Sequence, residues 1–326
     1  MLNLPHPPLW RQVLRTNFTH WQKLADFLQL SPAQSAQILQ KAHFPLNLPV
    51  RLASKIQKGT LNDPILKQFL PTLEEHVATE HYSIDPIQDR VFCRTTKLLQ
   101  KYEGRALLLC TSACAMHCRY CFRQNYPYES SNHQFENELQ EIAADTSLRE
   151  IILSGGDPLS LSNETLSLLL NRLNSIPHVQ RIRFHTRFPI GIPERIDSSF
   201  ISLLENSQKQ IWFVFHSNHP SEFDEDIWAA LAQIRRLGIP LLNQTVLLRD
   251  VNDSVETLKK LFEKLVDHGI SPYYLHQLDR VQGAAHFEVP EEKGRQLIET
   301  VRKQLSGYAV PLYVREIAGE SNKTPL

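Results

Sequence analysis

Long apolar runs are missing from this chain. No stretch of about 18 apolar residues occurs in its 326 residues, so no membrane span is expected. Met1–Arg11 carries three prolines and no hydrophobic segment of signal-peptide length; the sequence therefore reads as soluble and cytoplasmic. Net charge is missing too. Lys+Arg and Asp+Glu number 35 each, leaving no overall field to attract nucleic acid or an anionic membrane surface. Cysteine is scarce: there are five, and all but Cys93 fall between Cys110 and Cys121. That clustering excludes an evenly spread disulfide framework and points to a metal or redox centre. With 42% hydrophobic residues the chain can still bury a large core.

Residues 1–100 read as a helical N-terminal region, with helix-like apolar spacing over 9–28, 32–42 and 50–58 between prolines. No chemistry is legible there, and the polar, partly acidic stretch 71–100 reads as a cover or linker. From residue 105 the pattern changes to short apolar runs at 105–110, 150–154, 181–186, 210–216, 240–248 and 272–278. Helical patterns come after them at 135–146, 163–174, 193–205, 221–237, 254–268 and 291–305, and a seventh apolar run lies at 310–314. Such repeats are parallel strands with crossover helices.

Periodicity does not separate an open doubly wound sheet from a barrel. The residues at the strand ends do. The cysteine cluster comes after the first, Gly155-Gly156-Asp157-Pro158 after the second, His185-Thr186-Arg187 after the third and His216 after the fourth; Asn243-Gln244 lies within the fifth and Asp279 comes after the sixth. Polar groups gathered at the carboxyl ends of many strands indicate a barrel mouth. The expected architecture is α/β: a partial (β/α)6 barrel over 101–308, preceded by the helical region 1–100 and succeeded by a C-terminal strand and tail, 309–326.

Cys114, Cys118 and Cys121 are spaced closely enough for one loop to wrap a single metal centre. Three thiolates are one fewer than a closed zinc or ordinary four-iron site requires, so one position stays open to a small molecule. A structural zinc site completed by His117 or a distant residue is the alternative. Cys93 and Cys110 read as ordinary surface or core residues.

With Tyr120 before the third cysteine, the motif resembles the signature of the radical SAM superfamily, enzymes that use a [4Fe-4S] cluster and S-adenosylmethionine (SAM). The resemblance implies that the open iron binds SAM and that one electron from the cluster splits it to an adenosyl radical. It also implies that Ser154-Gly155-Gly156-Asp157 lies against the SAM amino group, glycine permitting close backbone approach, with a plain tight turn as the alternative. Within the superfamily the chain resembles the lysine 2,3-aminomutase group over nearly its whole length. The residues that carry this are Lys101-Tyr102-Glu103-Gly104-Arg105, Cys121-Phe122-Arg123, Phe215-His216-Ser217-Asn218-His219-Pro220, Asn243 to Leu248, Pro272-Tyr273-Tyr274 with Asp279, and Gly319 to Pro325 around Lys323.

That group adds pyridoxal 5'-phosphate (PLP), and the resemblance implies a role for each matching residue. Lys323-Thr324-Pro325 resembles the ending of the PLP-lysine segment, although Ala318-Gly319-Glu320-Ser321-Asn322 replaces a run of glycines. Lys101 and Arg105 are placed like residues that hold the PLP phosphate, with Lys101 standing where the family has arginine, and Tyr102 like the residue that packs on the ring. Arg123 resembles the receptor of the substrate carboxylate. Asp279 and Glu316 match the acidic pair that holds the far ammonium of lysine, Glu316 being one methylene longer than the usual aspartate. His216 and Gln244 are similar to SAM contacts; His185 and Arg187 have no role to carry over.

The implied reaction is isomerisation of L-lysine to β-lysine, fed electrons by a donor such as a flavodoxin or ferredoxin. The chain stops directly after the lysine motif, which resembles the branch that makes (R)-β-lysine for attachment to elongation factor P by a dedicated ligase. Another amino-acid 2,3-aminomutase, or a non-enzymatic metal-binding module, are the alternatives.

Overall fold

The apolar runs pair side by side in chain order. In the computed structural model, which describes residues 6–128 and 134–326, a nine-stranded sheet runs β1 (Leu98–Tyr102), β2 (Arg105–Thr111), β3 (Glu150–Gly155), β4 (Arg181–Thr186), β5 (Gln210–His216), β6 (Leu241–Val246), β7 (Ser271–His276), β8 (Leu312–Arg315) and β9 (Thr324–Pro325). The first five residues of the expected N-terminal region lie outside the described ones. Strands β2 through β8 are parallel; β1 and β9 add antiparallel edges. Among the described residues the sheet does not close on itself, which makes it the expected open partial barrel.

Each crossover carries a helix, and side chains cap most of them. The N-terminal helices are α1 (Leu9–Leu14), α2 (Trp21–Phe27), α3 (Pro32–Ser35), α4 (Val50–Ala53) and α5 (Pro64–Phe69). The crossover helices are α6 (Glu136–Ala144), α7 (Asn163–Asn174), α9 (Ser198–Glu205), α10 (Glu225–Arg236), α11 (Val255–Asp267) and α12 (Glu291–Arg302), with one extra turn, α8 (Phe188–Gly191), after β4. Ser162, Asp197, Asp224 and Ser254 accept from the first-turn backbone N–H groups of α7, α9, α10 and α11, satisfying donors that a helix start leaves free.

Three expectations need correction. The continuous helix read over 9–28 is broken, because Phe18 leaves it to pair with Leu48 across an isolated bridge. Only four-residue helices form within 32–42 and 50–58. The boundary drawn at residue 100 cuts β1, and the N-terminal region has no core of its own: Trp10, Leu24, Leu52 and Phe69 belong to the same buried cluster as Leu108, Leu153 and Phe213. The N-terminal region is packed onto the barrel rather than linked to it.

Candidate active site

One cavity of about 730 Å³ opens at the carboxyl ends of the parallel strands, and every candidate site residue lines it, from Cys114 and Ser154 to Gln244 and Lys323. The cysteine loop comes after β2 and is gripped from two sides. The N-terminal region holds its backbone: Asn17 donates to Ala115 O (2.8 Å), Asn47 to Cys114 O (3.2 Å), and the His117 and Arg119 N–H groups donate to Asn47 O (3.0 Å) and Gln68 O (2.9 Å). The Arg119 guanidinium, 1% exposed, grips Glu75 with two bonds of 2.7 and 2.5 Å. From the other side, the Gly156 N–H donates to Thr111 O (2.6 Å) and the Asp157 N–H to Ala113 O (2.8 Å). A Cβ on Gly156 would lie on the Ala113 carbonyl, and one on Gly155, at φ +118°, would lie 2.6 Å from Thr111 O. The two glycines are there because the cysteine loop rests directly on them.

The donor set fits a metal cluster. Burial, with Asp157 adding to it, pushes the Cys114 thiol well up, and burial lifts Cys121 to about 11. Ionised sulfurs here therefore require cations in the loop, which bound iron would supply. His117 is not arranged as a fourth ligand: its Nδ1 lies 2.8 Å from Pro45 O and its ring stacks on Phe44. Among the described residues no three His, Cys, Asp or Glu side chains, the three cysteines included, are grouped around one point.

Asp157 does something other than face a ligand. Its carboxylate accepts from Thr186 Oγ1 (2.8 and 2.9 Å) and from the N–H groups of Leu159 (3.0 Å), Arg187 (2.8 Å) and Phe188 (3.0 Å). It ties the end of β3 to the end of β4. The half-buried His185 and His216 rings meet edge to face at 5.7 Å, and neither buried Nε2 atom has a partner among the described residues. Burial lowers His216 to about 3 and His185 well below its usual value, so both are neutral rings that a ligand could satisfy.

The charged residues form an alternating chain. The Arg123 Nε donates to Asp89 Oδ2 (2.7 Å), and Asp89 Oδ1 lies 2.9 Å from Lys101 Nζ. Lys101 Nζ is in turn 3.8 Å from Glu316 Oε1, which accepts from the Tyr102 hydroxyl (2.6 Å). Glu316 Oε2 accepts from Lys323 Nζ at 2.5 Å. Burial works against the Glu316 anion, yet the charge of Lys323 and its hydrogen bond hold this carboxyl below its usual value. Asp279, half-buried nearby, is pushed up to about 7 by its desolvation. Arg105 lies over the Tyr102 ring at 4.4 Å, with no carboxylate partner among the described residues. Lys101, expected at a phosphate, is spent on Asp89 and the Ile87 carbonyl (2.8 Å).

Comparison with known proteins bears on what this arrangement serves. Residues 108–265 match the Radical SAM superfamily. The chain is 42% identical to the L-lysine 2,3-aminomutase of Escherichia coli (strain K12), over 100% of this chain and 96% of that one. It belongs to the lysine 2,3-aminomutase family. The L-lysine 2,3-aminomutases of Haemophilus influenzae (39% identity, 98% of each chain) and Clostridium subterminale (34%, 97% of this chain and 77% of the relative) are similar along their length as well. Among solved structures, a radical SAM methyltransferase from Sphaerobacter thermophilus shares the fold at TM-score 0.50 and 17% identity, over 67% of this chain and 68% of that one. As a family member this chain is an isomerase whose chemistry starts from a [4Fe-4S] cluster and SAM. No helix among the described residues is long and apolar enough to cross a membrane.

Several cavity residues of this aminomutase-family chain were not singled out from sequence: Asp89, Glu150, Arg183 and His276. Strand alternation could have found two of them, because Arg183 shares a face of β4 with His185, and His276 shares one of β7 with Tyr274. Asp89, in a short 3₁₀ turn within the expected linker, has no sequence signal.

Proposed function

We propose that this chain converts L-lysine to β-lysine, with a [4Fe-4S] cluster on Cys114, Cys118 and Cys121, SAM against Ser154, Gly155, Gly156, Tyr120, His216 and Gln244, and PLP on Lys323. The observation that carries the proposal is the shared cavity: three thiols, a free-edged arginine, two acids and the tail lysine face one space of about 730 Å³. When bound, the cluster and SAM supply a carbon radical that removes a substrate hydrogen, and PLP supplies the delocalisation that lets nitrogen move to the neighbouring carbon.

The chain's own residues bind and orient. Arg123 has its Nε committed to Asp89, which leaves the Nη edge for a substrate carboxylate, close to Ser154 (Nη1 to Oγ 3.5 Å). Lys323 reaches the cavity because the tail turns back at Gly319 (φ +87°) and β9 pairs with β8, matching Arg315 with Thr324. Its ammonium sits on Glu316, the carboxylate that the substrate's far ammonium would use. If PLP drew Lys323 away, Glu316 would be left with Asp279 to take a terminal ammonium, which would favour a long basic amino acid. Arg105, over Tyr102, is the cation left free for a phosphate.

The finer assignment, (R)-β-lysine for modification of elongation factor P, is our proposal as well. Chiral analysis of the product, and then its transfer to elongation factor P by the ligase, tests this; an (S) product excludes the role.

A further inference from the structure

Arg187 has no part in the function derived so far, yet its guanidinium is hydrogen-bonded to a cysteine of the proposed cluster site. It leaves β4 with its backbone N–H tied to Asp157, and its side chain is only 7% exposed. Nη1 donates to Cys118 Sγ (2.9 Å) and to the Tyr120 hydroxyl; Nη2 donates to Gln68 Oε1 (2.8 Å) and Glu222 Oε2 (2.7 Å). Glu222 is completely buried, and its other oxygen accepts from the Asn218 (2.8 Å) and His219 (2.9 Å) N–H groups. Ring faces of Phe69 and Tyr120 cover the guanidinium at 4.9 and 5.8 Å.

A buried ion pair is costly, and removing one partner is costlier still, so its position asks for an explanation. We infer that Arg187 is a positioning residue that sets the reduction potential of the cluster by donating to the Cys118 sulfur, with Glu222 tempering its charge. Hydrogen bonds and positive charge at a ligand sulfur favour the more negative, reduced cluster. The step concerned is one-electron reduction of the cluster from 2+ to 1+ by a reduced flavodoxin- or ferredoxin-class donor. Gln68 extends the network to α5, so the N-terminal region also bears on the potential.

The inference rests on the cysteines holding the cluster, and its test separates the two. Anaerobically reconstituted enzyme is titrated with dithionite against mediators and monitored by electron paramagnetic resonance, with iron per chain measured in parallel. Wild type without an iron-sulfur signal defeats the cluster reading and this inference with it. Glu222→Gln keeps the oxygen that accepts from Asn218 and His219 but removes the charge, and the midpoint should rise. Arg187→Met combined with Glu222→Gln strands no carboxylate, and the midpoint should fall below wild type by about a tenfold change in the reduction equilibrium, about 59 mV for one electron. Shifts of the same sign, or no shift at wild-type iron content, overturn the inference. If the double variant fails to hold iron, Glu222→Gln decides alone: no upward shift overturns it.

Discussion

Asp279 shows how far one half-buried carboxyl can govern the pH response of a site. Burial lifts it to about 7, Lys323 opposing and Glu316 adding to the rise. A lysine side chain stays protonated to about pH 10, so pairing with it needs Asp279 ionised, and KM for lysine should fall as pH rises through neutrality. Initial rates on either side of pH 7 check this; Asp279→Asn should flatten that limb and raise KM by roughly tenfold or more. The stability sign is opposite. The folded chain binds this proton more tightly than the unfolded one, so Asp279 costs stability above about pH 7, and the cost fades as pH falls toward about 4. Lys323→Ala should abolish the visible absorbance of bound PLP while iron content stays at the parent level; a retained band would remove the PLP assignment. Cys118→Ala should lose iron and SAM cleavage together. At this scale the sequence singled out the three cysteines and Lys323 by residue type and motif, and all four line one cavity. It was least legible at Asp89, Gln68 and Glu222, ordinary polar residues whose roles arise only from partners far along the chain.

Among elements, the strand ends carry the site and the strands themselves were readable. β3 buries Ile151, Ile152 and Leu153 in succession, as a strand covered on both faces must, and β5 does the same with Phe213, Val214 and Phe215. The short N-terminal helices were harder: their apolar spacing continues past the points where Phe18 pairs with Leu48 and Ile38 with Thr72, and tertiary pairing overrides the local pattern. The glycine pair after β3 was noticed, but its closest structural partner is the cysteine loop. Gly156→Ala would drive a Cβ into the Ala113 carbonyl and to 2.7 Å from the Ser112 backbone, neither of which can swing aside. We expect this variant to retain much less iron per chain than its parent after anaerobic reconstitution, with far-ultraviolet circular dichroism unchanged. Full iron retention would mean that the loop does not depend on this contact.

Across the whole molecule, the N-terminal region and the open barrel share one core, and the cysteine loop lies where they meet. That meeting was invisible in the sequence, because neither region alone shows which surface it covers. The tail returns to the mouth of the sheet through β9, so the three cysteines and the lysine, separated by about two hundred residues, reach one cavity. The proposed chemistry stands on that convergence. Its most direct test is anaerobic turnover of L-lysine by the reconstituted chain with SAM, PLP and a reductant, with products separated and identified by mass spectrometry. The expected product is β-lysine, formed only when all four are present. Lysine recovered unchanged from protein that carries its full complement of iron and PLP would contradict it.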